Sequence, residues 1–159
     1  MRRIQYSAAA AVMVLLLAAG SALAALTFHS GPTVTFSGSS ATATANISGL
    51  GNEPAFAQLF VNGTAEYTCS NKGGNEAPGQ NPQPAQGASP VQDLGNTEHN
   101  GRATVNVTAT LTAPQTIPAK QAGCPNGNWT ATLSKLTVTS ATLVITQGGQ
   151  EIYRNTFTP

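Results

Sequence analysis

The side chains in this sequence that could do chemistry are few and far apart. There are two histidines, His29 in LTFHSGP and His99 in NTEHNG. Nucleophilic catalysis needs a Ser, Thr or Cys beside a base, and a third group to orient that base. Neither histidine has such neighbours in sequence, so both read as ordinary surface or strand-end residues. The six acids, Glu53, Glu66, Glu76, Asp93, Glu98 and Glu151, occur singly in mostly polar segments. Glycoside hydrolysis needs two carboxylates facing one cleft. Glu66 alone sits in an apolar run, and alternation there turns it away from the core. Asn71, Asn75, Glu76 and Asn81 could offer oxygens around one loop, but they lack the repeated Asp of a calcium loop. Zinc-ligand spacing is absent. The residues therefore point to a protein without catalytic residues, metal or cofactor.

Two cysteines remain, Cys69 and Cys124. Their state depends on the compartment, and the first 24 residues bear on that. Arg2 and Arg3 precede an apolar run, Ala8 to Ala19, and Ala22-Leu23-Ala24 has the small-x-small form of a cleavage site. This is the pattern of a secretory signal peptide. The apolar run is short for a membrane span, which needs roughly 20 residues. Residues 1–24 are thus expected to leave, giving a mature chain of residues 25–159, cut after Ala24 or Ala25. In an oxidising compartment an even cysteine count reads as a disulfide. The alternative is a pair of reactive or metal-binding thiols, without a CxxC or a nearby His to favour it.

Cleavage also changes the charge. The full chain carries a formal +1. Without Arg2 and Arg3, five Lys and Arg face six Asp and Glu, a net −1. No charge run exists. Nucleic acid binding calls for clustered cations, as does an anionic membrane surface, so neither partner is expected. No membrane span is expected after cleavage. The mature length suits one domain with one core.

The elements that would hold any site are strands. In SATATANI, residues Ala41, Ala43, Ala45 and Ile47 share one face; in ATVNVTATL, Ala103, Val105, Val107, Ala109 and Leu111 do the same. This period of two, with Thr and Asn opposite, predicts half-buried strands despite the alanines. AFAQLFV-NG-TAEYTC predicts a hairpin turning at Asn62-Gly63, with Phe56, Phe60, Ala65, Tyr67 and Cys69 on its core face. The alternative is one long strand kinked at Gly63. Gln147-Gly148-Gly149-Gln150 predicts a second hairpin. The alternation after Trp129 shifts phase at Ser134-Lys135, which suggests a bulge or short turn. Eight or nine strands result: about 26–29, 32–37, 40–48, 55–61, 64–69, 102–111, 129–138, 140–147 and 150–157. The expectation is an all-β, two-sheet antiparallel sandwich, Ig-like in architecture, with a small β-barrel as the alternative. Trp129 follows both cysteines, unlike the order in antibody domains.

Two stretches carry no strand signal. Residues 70–90, rich in Gly, Pro, Asn and Gln, read as a long surface loop, and 113–128 as a second. Cys69 and Cys124 lie at their roots. If both loops sit at one end, that end is a pre-organised surface. Its candidate binding residues are Asn71, Asn75, Glu76, Gln80, Asn81, Asn126, Asn128 and Trp129. Trp129, the only Trp, could be a sugar platform or could pack against the disulfide. The sequons at Asn46, Asn62, Asn106 and Asn128 would matter only in a eukaryotic secretory route.

CSNKGGNEAPGQNP (residues 69–82) and AGCPNGNWTATL (residues 122–133), preceded by GLGN (residues 49–52), resemble a group of small exported bacterial β-domain proteins of unknown function. Their pattern is roughly C-x-N-x-G-G-N-x-x-P-G-Q, then A-G-C-P-N-x-N-W-T, and the likeness runs across most of the mature chain. The resemblance implies a secreted β domain of bacterial source and supports pairing of Cys69 with Cys124. It transfers no catalytic residue.

Three functions follow as expectations. The first is a secreted, non-enzymatic structural, adhesion or binding module of the envelope or medium, whose partner is an extracellular protein or envelope component. The second is a secreted protease inhibitor using residues 71–90, because a pre-organised loop loses little entropy on binding. The third is a small hydrolase or metal-dependent enzyme. The address is periplasm, cell surface or medium.

Overall fold

A computed structural model describes residues 25–95 and 101–159. The expected leader, Glu98 and His99 lie outside them. The fold is all-β, with two antiparallel sheets and one disulfide. Strands β1 (Thr27–Ser37), β2 (Ser40–Ser48) and β7 (Ala103–Thr110) form the smaller sheet in the order β1-β2-β7. The larger sheet is built on two long strands, β3 (Ala55–Ser70) and β9 (Thr130–Gln147), paired along their whole length. Three short strands share the far edge of β3: β4 (Glu76–Pro78), β5 (Gln83–Ala88) and β6 (Gln92–Gly95). On the far edge of β9 lie β8 (Thr116–Pro118) and β10 (Gln150–Phe157). One helical turn, α1 (Ala119–Ala122), follows β8. Among the described residues no helix is long and apolar enough to cross a membrane.

The predicted core faces of β2 and β7 are buried as expected, apart from Ala103, which is half-buried, and Leu111 is buried just beyond β7. They meet Leu59, Val61, Leu143 and Ile145 of the larger sheet in one cluster. The inner face of β2 is mostly Ala, so the sheets close on small side chains from one side and large ones from the other.

Asn62-Gly63 does not turn. It lies in the middle of β3, which runs on as a single strand, so the hairpin expectation is overturned and the kinked-strand alternative holds. Odd-numbered residues from Ala55 to Cys69 all face β9's inward residues, and the even-numbered ones face out. Ala65, Tyr67 and Cys69 are therefore in the core, but Phe56 and Phe60 are on the outer surface, 37% and 38% exposed. Gly63 is needed for closeness rather than for turning. A Cβ there would run into the Thr137 carbonyl oxygen and lie 2.6 Å from Leu111 Cδ1.

β9 accommodates this approach with two bulges. Its register against β3 slips between Leu133 and Lys135 and between Val138 and Ser140. Each slip reverses which face the next residues occupy. Inward residues thus change from Ala131 and Leu133 to Leu136 and Val138, then to Ala141, Leu143 and Ile145. The extra residues, Ser134 and Thr139, donate their hydroxyls to the Glu66 carbonyl at 3.0 Å and the Asn62 carbonyl at 3.2 Å. The phase break read at Ser134-Lys135 is the first of these bulges. The second hairpin forms where expected, with Gly148 and Gly149 at φ of 56° and 77°.

Residues 70–90 are not one long loop. β4 and β5 lie within them, hydrogen-bonded to β3. Pro78 and Pro84 are tolerated because these short strands lie at the sheet's edge, where a missing donor costs little. Gly87 lets β5 approach β7: a Cβ would meet the Thr110 carbonyl. Segments 26–29 and 32–37 are likewise one strand, β1, irregular between Phe28 and Thr33.

One side of the sandwich is closed by side-chain mimicry. Gln92 Nε2 donates to the Thr104 carbonyl at 2.9 Å, and its Oε1 accepts from the Asn106 amide at 2.8 Å. The amide thereby occupies β7's free edge as a neighbouring strand would. Across the other side, Phe28 and Tyr153 meet at 4.8 Å between ring centres. On the β10 edge, Arg154 holds the Glu151 carboxyl below its ordinary pKa through a 2.7 Å ion pair. Both groups are exposed, so the pair adds little stability; charges on a free edge do discourage strand addition.

Candidate functional site

The disulfide joins the last turn of β3 to the segment after α1. Cys69 is fully buried, and its Cα is 5.7 Å from that of Cys124. Four further clamps surround it. Gly79 donates to the Tyr67 carbonyl at 2.7 Å, and Asn81 to the Ala122 carbonyl at 3.0 Å. Gln83 and Gln121 bond reciprocally, Gln83 Nε2 to the Gln121 carbonyl and Gln121 Nε2 to Gln83 Oε1. The buried Tyr67 donates its hydroxyl to the Pro114 carbonyl at 2.9 Å, fixing the chain that leads into β8. Gly123, at φ 71°, ends α1 and directs Cys124 back, its amide bonded to the Ala119 carbonyl.

Tyr67→Phe removes that last clamp without changing shape. The Pro114 carbonyl loses its donor, so a loss of about 1 kcal/mol is expected, read as a lower urea midpoint with an unchanged slope.

Beyond the disulfide two short turns stand side by side. In the first, Asn71 Oδ1 accepts from the amides of Gly73 (2.9 Å) and Asn75 (3.1 Å), and Asn71 N donates to the Asn75 carbonyl. The loop is thus wound around one side-chain oxygen. In the second, Asn126 Oδ1 accepts from the Asn128 amide at 3.0 Å. Between them opens a groove of about 680 Å³ lined by Asn71, Lys72, Gly73, Asn126, Gly127, Asn128, Trp129 and Thr130. Trp129 is half-buried and lines the groove.

Of the sequence-derived candidates, Asn71, Asn126, Asn128 and Trp129 line this groove. Asn75 is bonded to Asn71 just behind it. Glu76 opens β4 opposite Ser70. Gln80 and Asn81 lie away from the groove, Gln80 bonded to the Pro78 carbonyl and Asn81 to Ala122. The oxygens considered for calcium do not converge, because Asn71 Oδ1 is turned into its own loop. Among the described residues no three His, Cys, Asp or Glu gather as metal ligands. Lys72 and Thr130 were missed by sequence reasoning. Lys72, the only Lys or Arg between Arg3 and Arg102, was the available signal.

A second cleft, about 510 Å³, is lined by His29, Asn46, Ile47, Arg102, Ala103 and Thr104. Beside it His29 Nε2 and Ser48 Oγ are 2.7 Å apart. This is a base next to a hydroxyl, brought together across the β1–β2 hairpin. Nucleophilic catalysis also needs a group that orients the base; among the described residues no carboxylate hydrogen-bonds the imidazole. Glu66, as expected, is exposed on the outer face, opposite Lys135.

Compared with protein-family models, curated proteins and solved structures, the chain matches none of them.

Proposed function

We propose that this chain is an exported, non-enzymatic binding module whose working surface is the groove between the Asn71–Asn75 turn and residues 126–130. The reading takes residues 1–24 as a cleaved leader and places the mature domain in the periplasm, at the cell surface or in the medium. The disulfide is compatible with such an oxidising compartment. The observation that carries the proposal is the composition of the groove. Three Asn side chains, one Lys and a half-buried Trp line one groove that disulfide and hydrogen bonds hold in place. Asn128 supplies a paired donor and acceptor, Asn71 and Asn126, whose oxygens are taken up by their own turns, supply Nδ2 donors, and an aromatic face stacks on the C–H face of a sugar ring. That chemistry suits a neutral or weakly anionic glycan of the envelope. The protease-inhibitor alternative rested on a free extended loop at 71–90, and pairing of β4 and β5 with β3 leaves little of it free to enter a cleft.

The test is cosedimentation of mature, oxidised protein with purified cell-wall glycan from the producing organism. Native protein is expected to pellet with the glycan. Trp129→Ala is expected to weaken it at least tenfold, about 1.4 kcal/mol, as loss of a central aromatic does. Native protein that stays in solution, or a variant that pellets equally well, overturns the reading.

A further inference from the structure

Over four rows the outer face of the small sheet is chemically uniform, before it ends at His29, Ser48 and Arg102. The ladder of β1, β2 and β7 places Thr33, Thr44 and Asn106 in one row and Thr35, Thr42 and Thr108 in the next. Ser37, Ser40 and Thr110 form a third row. The register is unbroken through all three, so this is a regular three-by-three array. It continues on the other side of Thr44 as Ser30, Asn46 and Thr104. Each row is bare of charge and of aromatic rings. Several members are locked to one another: Thr42 to Thr108 at 2.8 Å, Asn46 Nδ2 to Ser30 at 2.7 Å, and Thr104 to Asn46 Oδ1 at 3.0 Å.

Thr is common throughout the chain, and a β-branched residue suits any exposed strand face. The opposite outer face is the internal control. It too is built of strands and carries Thr64, Thr68, Thr132, Thr137, Thr142 and Thr146, but among them stand Phe56, Phe60, Glu66, Lys135 and Arg154. Composition alone therefore does not account for the uniform face.

The usual ligand classes do not fit it. Protein partners are held by aromatic and Arg anchors, nucleic acids and anionic membranes by cations, and sugars by aromatic platforms. What the face does offer is a lattice. Hydroxyl-bearing residues repeat every second residue, roughly 6.6–6.8 Å along a strand, and about 4.7–4.9 Å between strands. Both repeats lie close to oxygen repeats across the surface of hexagonal ice. Methyl and hydroxyl of each Thr present a rigid, short side chain with little entropy to lose.

We infer that this face binds ice. Its ligand is ordered water at a crystal surface, held by the Thr-x-Thr segments of the three strands, 33–35, 42–44 and 108–110. Sheet twist, about 20–25° between neighbouring strands, confines the match to a patch of a few rows. The expected activity is accordingly adsorption and slowed recrystallisation rather than a deep depression of the freezing point. The inference does not depend on the groove.

The experiment is slow growth of ice on a cooled probe in a solution of the mature, disulfide-bonded protein and an unrelated protein of similar size. The protein is expected to enter the ice several-fold more than its companion. Thr42→Lys, in the central strand, and Thr35→Lys, on the edge strand where Lys is well tolerated, each are expected to abolish the enrichment. Circular dichroism and melting identify which variants are folded, and either one suffices. Thr156→Lys, the same change on β10, is expected to remain enriched. Exclusion of the native protein from ice to the same degree as its companion overturns the inference. So does enrichment of a folded Thr35→Lys or Thr42→Lys protein equal to the native.

Discussion

Replacing Cys69 and Cys124 together by Ala is expected to remove about 4 kcal/mol of stability. The figure follows from the loop-closure entropy released when a 55-residue cross-link is lost. Against a total of about 5–15 kcal/mol for a domain, this is a large fraction. It corresponds to a fall in melting temperature of roughly 10–20 °C for a chain of this size. The double Ala variant is still expected to fold at low temperature, because Gly79, Asn81 and Gln83 clamp the same region without the disulfide. The sheet signal should persist while the turns at 71–75 and 126–129 loosen. Calorimetry of oxidised, reduced and double Ala protein decides it. Equal melting temperatures for all three would mean the hydrogen bonds alone fix this end.

Gly63→Val is expected to be the most damaging single substitution on β3, costing about 3 kcal/mol or more. The new side chain enters a filled space between the Thr137 carbonyl and Leu111. Overpacking of this kind typically costs about 1–3 kcal/mol, and more when backbone must move. Here the nearest atom is backbone, on the central partner strand. Gly63→Ala should have the same sign and a smaller size. The comparison also separates the two readings of Asn62-Gly63. A hairpin turn would place this Gly at positive φ on the surface, where Val would be strained but not crowded. A melting temperature for Gly63→Val close to native would contradict the packing described.

That glycine shows where the sequence misleads. Asn-Gly between alternating runs is a turn signal because glycine tolerates positive φ, but the same residue answers a second need, contact between backbones. Nothing local distinguishes the two. The deciding partner, Thr137, is 74 positions away. Strands with strict alternation, β2 and β7, were legible because one face is wholly apolar and the other wholly polar. The bulge at Ser134 was legible from the reversal of that phase. The bulge at Thr139 looked instead like a break between strands. β4, β5 and β6 were hidden because they are held by backbone pairing to the edge of β3, with Ala85 nearly alone in supplying burial. Backbone hydrogen bonds leave no signature in side-chain pattern.

The site was legible in part for a related reason. Cys69 and Cys124 marked two segments that meet, and Asn71, Asn126, Asn128 and Trp129 are gathered beyond them. Gln80 and Asn81 belong to the same stretch of sequence, but their hydrogen bonds to the Pro78 carbonyl and to α1 draw them elsewhere. The His29–Ser48 contact was invisible because register, not spacing, brings it about.

The central claim is that the disulfide-tied turns form the binding surface. The most direct measurement is an amide chemical-shift titration of the mature, oxidised protein with soluble fragments of envelope glycan. Shifts are predicted for Asn71, Lys72 and residues 126–130, with the Trp129 indole moving most and the sheets unchanged. Shifts confined to any other surface, or none at saturating glycan, would contradict it.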